Sequence, residues 1–177
     1  MKRLQQEYQP VRRIFYRPRQ IDSEDGKYHI RKEEPSLARI CPGCGAISLE
    51  KRWFFDEALK KELTNSGQFE YEDCPGCAAA KTEEVGGVIL LSGGFLEGRT
   101  AELLNAIQHE EEELRIDNPA SMIINIASSG EDIVIRTANP FMAERIGKRL
   151  KKAYDGELTI IWSHEDRLVR VYWSREE

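Results

Sequence analysis

Cys41-Pro42-Gly43-Cys44 is the stretch around which the chain is organised, and it returns as Cys74-Pro75-Gly76-Cys77. These two loops hold all four cysteines of the chain. Proline fixes one backbone angle and glycine permits the tight turn, so that backbone N–H groups can point at the thiolates. Four soft anionic ligands suit one tetrahedral zinc ion, at about 2.3 Å per sulfur. The pattern therefore predicts one structural Zn2+ bound by Cys41, Cys44, Cys74 and Cys77.

The same cysteines allow two other interpretations. Two disulfides are disfavoured, because residues 1–7 contain no apolar segment of the kind that a secretory signal needs. Redox chemistry on one C-x-x-C pair stays open, but it leaves the other pair without a role. A metal ion with four sulfur ligands has no open position for water, so we expect no enzymatic activity.

The composition is that of a soluble globular protein, with 40% hydrophobic and 32% charged residues in a chain of 177. No apolar run approaches about 18 residues, so we expect no membrane span. Paired cysteines without a secretory signal predict the reducing cytoplasm. The charge is unevenly distributed: residues 1–20 carry six basic residues and one glutamate, so the net −5 of the chain leaves −10 on the rest.

Residues 1–35 are predicted to form a basic, flexible arm. The segment 11–19 interleaves arginines with Phe15 and Tyr16, which is typical of a chain that lies along nucleic acid. The candidate phosphate contacts are Arg12, Arg13, Arg17 and Arg19. Two alternatives stay open, a tail that is merely disordered and an arm that packs its two aromatic residues on the body of the protein.

Residues 36–85 are predicted to form the zinc-binding module, a zinc ribbon or treble-clef-like unit. The β-formers of 46–55, a helix at 56–63 capped by Asp56, and a returning strand at 68–73 lie between the two cysteine loops. A unit this small cannot build a sufficient core, so zinc is expected to supply much of its folding free energy. Trp53, Phe54 and Phe55 are expected to form its small core, and a platform that stacks with bases is the alternative.

Residues 86–177 are predicted to form a separate α/β sandwich domain. The order β-α-β-β-α-β-β favours a ferredoxin-like βαββαβ topology with an added edge strand. The fold class as a whole is therefore α+β. Hydrophobic periodicity places its strands at 87–92, 121–127, 132–137, 158–162 and 169–173, and its helices at 95–115 and 140–154.

The second of these helices is amphipathic, with a basic face opposite its apolar arc. Five cations in eight residues indicate a footprint for the phosphate backbone. The candidate contacts are Arg145, Lys148, Arg149 and Lys152. The alternative is a solvated face whose cations complement the helix dipole.

Two further stretches show no catalytic signature. Ser92-Gly93-Gly94 precedes a helix as a phosphate-binding turn does, but no G-K-[ST] follows it, so we expect an ordinary turn. The run Glu110-Glu111-Glu112-Glu113 predicts a solvated acidic end of the first helix of the α/β domain.

The paired C-P-G-C loops, followed by Ile146-Gly147-Lys148-Arg149-Leu150 through Arg167-Leu168-Val169-Arg170-Val171, resemble the nonsense-mediated-decay-protein-three family. Its members are large-ribosomal-subunit export adaptors of eukaryotes, with archaeal relatives. Over most of residues 36–177 the chain is more similar to short bacterial zinc-ribbon proteins of unknown function. The adaptor family implies zinc binding and contact with the large ribosomal subunit. The chain has one four-cysteine set where the adaptors have more, and it lacks their later domains.

These observations give two functional hypotheses. The first is a non-enzymatic zinc-binding protein that associates with RNA or with the large ribosomal subunit. The second is a zinc-dependent protein-interaction or regulatory adaptor that does not bind nucleic acid and that contacts a protein partner.

Overall fold

The computed structural model describes residues 37–163, 165 and 167–177. The predicted arm, with Arg12, Arg13, Arg17 and Arg19, lies outside the described residues. Residues Ala38–Glu177 pack as one compact unit. Its described part contains one four-stranded sheet, one five-stranded sheet and four α-helices, so the predicted α+β class is confirmed. The division at residues 85 and 86 into two domains stays a prediction.

The smaller sheet is built from four strands of three residues each, in the order β3-β2-β1-β4. Its strands are β1 (Ala38–Ile40), β2 (Ile47–Leu49), β3 (Arg52–Phe54) and β4 (Phe69–Tyr71). The strand β1 runs antiparallel to β2 and parallel to β4. Helix α1 (Glu57–Ser66) begins after Asp56, whose Oδ1 accepts from the Leu59 N–H at 2.9 Å, so the predicted cap is confirmed. Helix α2 (Pro75–Thr82) follows β4.

The larger sheet has five strands in the order β6-β7-β5-β9-β8. They are β5 (Gly87–Ser92), β6 (Ile123–Ser129), β7 (Asp132–Thr137), β8 (Glu157–Ser163) and β9 (Leu168–Ser174). Helix α4 (Pro140–Tyr154) has the predicted bounds. Helix α3 (Thr100–Asp117) begins five residues later than predicted, because Gly98 at φ +72° separates it from a 3-10 turn at Gly94–Leu96.

The predicted ferredoxin-like topology is not confirmed. The antiparallel group β6-β7-β5 has the expected order, but β9 is not an added edge strand. It lies between β5 and β8 and runs parallel to β5, so that β8 takes the edge. The exposure of the two strands reflects this order. Val169, Val171 and Trp173 of β9 are at most 1% exposed, whereas on the same face of β8 Leu158 and Ile160 are half-buried and Trp162 is 37% exposed.

Both long helices lie on one face of the larger sheet. The core there contains Ile89 and Leu91 of β5 together with Leu103 of α3 and Ile146 of α4. Helix α4 approaches β9 closely at Gly147, where a Cβ atom would lie 2.5 Å from Val171 Cγ1. In the described part of the chain α2 contacts the sheet at its edge strand β6, and neither α3 nor α4 lies on the opposite face. We call that surface the open face; its residues are Val88, Leu90, Val134, Arg136, Arg170 and Tyr172.

Candidate metal centre

The first cysteine loop follows β1 directly. The Cys41 N–H donates to the Ala46 carbonyl at 2.8 Å, and the Gly45 N–H donates to the Cys41 carbonyl at 2.9 Å. Gly45 has φ +78°, which favours glycine. A Cβ atom at Gly43 would lie 3.1 Å from Cys77 Sγ, so a side chain there would crowd the second loop. The glycines therefore let the two loops face each other.

The second loop forms the beginning of α2. Cys74 is the N-cap residue, Pro75 occupies the first turn, and the Cys77 N–H points at Cys74 Sγ at 3.5 Å. Cys77 thus lies in the first turn, where the partial positive charge of the helix N-terminus favours a thiolate. The cysteines of the first loop are therefore positioned by a turn after a strand, and those of the second loop by the beginning of a helix.

The four Sγ atoms of Cys41, Cys44, Cys74 and Cys77 all lie within 4.8 Å of one another. Cys44 Sγ and Cys74 Sγ are 3.6 Å apart, far longer than a disulfide at about 2.05 Å, and all four cysteines are free. A tetrahedral ion with sulfur ligands at about 2.3 Å places its sulfurs about 3.8 Å apart. No disulfide joins these cysteines, and the four are positioned to hold one metal ion.

The thiols of this cluster differ in acidity. Burial raises the pKa of Cys74 to about 11, and burial raises the pKa of Cys77 further. Burial acts in the same direction on Cys41, but hydrogen bonds from the backbone of three residues lower its pKa to about 7. Four thiolates this close repel one another, so the fully ionised set needs a cation at its centre.

A small buried cluster surrounds the sulfurs. Ala46 is fully buried beside Cys41, Cys74 and Cys77, and Trp53 packs against the group while half-exposed. The amino group of Lys60 lies against the first loop at Gly45. Of the three aromatic residues expected in this core, Trp53 packs against the sulfurs, whereas Phe55 is 37% exposed.

The basic residues of α4 lie on its outer face as predicted, but most of them are paired with acidic side chains. Arg145 Nε donates to Glu110 Oε1 at 2.7 Å, and Arg149 Nε lies 3.7 Å from Glu110 Oε2. Lys148 Nζ donates to Glu144 Oε1 at 2.6 Å. Of the four candidates Arg145, Lys148, Arg149 and Lys152, only Lys152 has no acidic partner among the described residues. Much of the predicted phosphate footprint is therefore neutralised within the chain.

The expectation of a solvated acidic run at Glu110–Glu113 is wrong for its first residue. Glu110 is only 4% exposed because α3 and α4 pack side by side and enclose its carboxylate between Arg145 and Arg149. Burial of Glu111 raises the pKa of that carboxyl, although the Ile123 N–H donates to it at 2.7 Å. These two acids attach α3 to its neighbours instead of facing water.

Replacing Glu110 with alanine should weaken this helix pair. We expect the free energy of unfolding to fall by about 1–2 kcal/mol, the lower part of the range for charged hydrogen bonds, because both arginines are half-exposed and become solvated. Glu113→Ala is the matched control, since the one ion pair of Glu113 among the described residues is with exposed His109 at 3.8 Å, and its loss should cost less than about 0.5 kcal/mol. Urea unfolding measures both variants. If both variants lose the same free energy of unfolding, the carboxylate of Glu110 does not hold α3 and α4 together.

The turn at Gly93 and Gly94 is closed by residues 175–177, as expected for a structural turn. The Phe95 N–H donates to the Arg175 carbonyl at 3.0 Å, and the Arg175 N–H donates to the Ser92 carbonyl at 3.2 Å. A Cβ atom at Gly93 would collide with the Arg175 carbonyl. The backbone donor that a phosphate would use at Phe95 is therefore already occupied.

Sequence reasoning did not single out Arg136, Arg170 and Tyr172. The register of the larger sheet brings them together on the open face. The only sequence signal was the alternation in β9, where Arg170 and Tyr172 separate the three buried residues Val169, Val171 and Trp173.

Comparison of the chain with protein-family models, with curated proteins and with solved structures found no match in any of the three. The resemblance to the nonsense-mediated-decay-protein-three family therefore stays a prediction. No helix in the described part of the chain is both long and apolar enough to cross a membrane.

Proposed function

We propose that this chain is a non-enzymatic cytoplasmic protein that is held together by one structural zinc ion and that binds RNA, including RNA of the large ribosomal subunit. The proposal of zinc binding rests on the cluster of four Sγ atoms, which all lie within 4.8 Å of one another. Four sulfur ligands match the preference of zinc, and they leave no position for a water or a substrate.

The small sheet supports a structural role for the metal. Each of its strands has three residues, and α1 has no buried residue, so the apolar core of this part of the chain is small. Strands this short are not stable without further support. A metal ion that joins the end of β1 to the beginning of α2 supplies that support.

The distribution of charge supports RNA as the ligand. Residues 1–20 carry six basic residues in a chain of net charge −5, so phosphate contacts must be local. Arg136 and Arg170 of the open face form no ion pair among the described residues. Guanidinium groups that have no acidic partner are free to bind the phosphate groups of RNA.

A protein-interaction adaptor is the second candidate, and the ion pairs of α4 favour it. They remove charge from the face that was expected to meet phosphate. Two aromatic side chains are also strongly exposed, Tyr71 at 69% and Phe141 at 67%. Exposed aromatic residues of this kind are common at protein interfaces.

A salt titration distinguishes the two candidates. Changing Arg12, Arg13, Arg17 and Arg19 together to glutamine should weaken RNA binding for all sequences alike. Each lost phosphate contact should reduce the slope of log K against log salt by about 0.7 for single strands, or about 3 in total. The measurement is RNA binding and co-sedimentation with large ribosomal subunits at several salt concentrations.

The control removes two positive charges elsewhere by changing Lys51 and Lys61 to glutamine, because both are exposed and have no partner among the described residues. This control should bind like the native chain. A native chain that binds neither RNA nor ribosomal subunits would reject the RNA proposal, and the adaptor would then take its place.

A further inference from the structure

Two arginines and one tyrosine occupy neighbouring positions of the open face. Val88 on β5 pairs with Arg136 of β7 on one side and with Arg170 of β9 on the other. Two residues further along β5, Leu90 pairs in the same way with Val134 and Tyr172. Since neighbouring strands lie about 4.8 Å apart, the two arginines are about 10 Å apart across Val88.

The two arginines are not neutralised like those of α4. The side chain of Arg170 has no hydrogen bond or ion pair with another described residue. The one partner given there for Arg136 is neutral, Asn125 Oδ1 at 3.4 Å. Of the acids on this face of the strands, Asp132 and Glu157 pair with Ser129 and Ser174 at the other end of the sheet. Glu83 at the end of α2 lines a cleft with Arg136 but forms no ion pair with it. Positive charge is therefore concentrated in one row of the open face.

An apolar strip lies beside this row. Val88, Leu90 and Val134 are half-buried, Tyr172 is 40% exposed, and Ile161 of β8, which pairs with Arg170, is 49% exposed. A flat aromatic ring on a sheet can stack with a base, and the aliphatic residues around it exclude water.

Helix α2 closes one side of this surface. A Cβ atom at Gly76 would lie 2.5 Å from the Pro119 carbonyl oxygen, so α2 is in close contact with the connection that leads into β6. Between α2 and the sheet lies an open cleft of about 400 Å³, lined by Ala80, Glu83, Val85, Ile124, Asn125 and Arg136. Because Cys74 and Cys77 begin α2, the metal centre fixes the wall of this cleft.

We propose that the open face binds single-stranded RNA, with Arg136 and Arg170 on phosphates and Tyr172 stacked on a base. This inference rests on the proposed RNA function and assigns it to a surface other than α4. A stacking ring beside unpaired guanidinium groups favours unpaired nucleotides, because bases within a duplex cannot lie on the ring. A peptide that is acidic along its length fits this face less well, because it would also approach the carboxylates of Asp132 and Glu83, which repel it.

The test is fluorescence anisotropy with a fluorescein-labelled 12-nucleotide oligouridine at several salt concentrations. Changing Arg136 and Arg170 together to glutamine should reduce the salt slope by about 1.4. Tyr172→Ala should weaken binding by about 5- to 100-fold with the slope unchanged, and Tyr172→Phe should restore it. Lys51→Gln with Lys61→Gln removes the same charge elsewhere and should leave binding unchanged, and circular dichroism should show that all variants are folded.

The possible results separate the two claims. Suppose that the native chain binds oligouridine, and that the double arginine variant and Tyr172→Ala both bind it as tightly as the lysine control does. The open face is then not the site, although the proposed RNA binding stands. If the native chain binds no RNA, both the site and the proposed function are rejected. If a labelled 12-residue polyglutamate binds as tightly as oligouridine and loses affinity in the same variants, the face takes an acidic protein segment instead.

Discussion

Replacing Cys74 with serine should abolish metal binding and unfold residues 38–82. Cys74 is fully buried, and its sulfur contributes to the metal cluster and accepts from the Cys77 N–H at 3.5 Å. A serine hydroxyl is neutral at pH 7 and cannot replace the thiolate as a ligand. The strands of the small sheet then lose the ion that joins them, and their short apolar contacts are insufficient. The larger sheet should remain folded, because its core contains no residue of the cluster.

Metal analysis and hydrogen exchange measure the two parts of this expectation. The native chain should contain one zinc per molecule and the variant none, and backbone protection should vanish in 38–82 but persist in 87–174. Pro42→Ala is the matched control, since Pro42 is exposed in the same loop and supplies no ligand. Treating the native chain with a strong chelator should reproduce the Cys74→Ser result. A serine variant that keeps its zinc and its protected small sheet would refute the structural role of the metal.

Trp173→Ala should produce the largest loss of stability outside the metal centre. Its ring is fully buried against Phe95, with the centroids 6.1 Å apart, and its Nε1–H donates to the Asp155 carbonyl at 2.8 Å. Truncation of a buried tryptophan costs about 3–5 kcal/mol, which is a large part of the roughly 5–15 kcal/mol that stabilises a domain. The melting temperature should fall by about 6–20 °C.

Tyr172→Ala is the internal control for this prediction, because Tyr172 is adjacent to Trp173 in β9 and points to the open face. It should cost less than about 1 kcal/mol, since a side chain that is 40% exposed has less area to lose. Thermal and urea unfolding compare the two variants. If Tyr172→Ala and Trp173→Ala lower the free energy of unfolding by the same amount, the open face is covered in solution and cannot be a free docking surface.

The sequence predicted the cluster of four cysteines well because a C-P-G-C loop limits the local backbone whatever surrounds it. It also predicted which residues of β9 face the core, since alternation along a strand depends on the strand alone. The position of β9 in the sheet was not predictable in this way. The inward residues of β8, Leu158, Ile160 and Trp162, are as apolar as those of β9, so the order of the two strands depends on pairing with distant segments and cannot be read from the composition of either strand.

The basic face of α4 shows the other limit of sequence reasoning. The helix wheel located Arg145, Lys148 and Arg149 correctly on one side. It could not show that α3 places Glu110 beside them, because that contact joins residues 35 positions apart. For the same reason the open face was missed, since Arg136 and Arg170 become neighbours of Val88 only through the pairing of β5 with β7 and β9.

The interior position of β9 also bears on how the chain is synthesised. Gly87 of β5 pairs with Val169 of β9, and β9 comes after the four other described strands of the sheet in the chain. Until the ribosome has synthesised β9, the edge of β5 that pairs with β9 is unpaired, and β8 has no partner in the sheet. Such edges invite pairing with other chains. We therefore expect the nascent protein to depend on chaperones until β9 emerges, and expect pairing of distant segments to make folding slow.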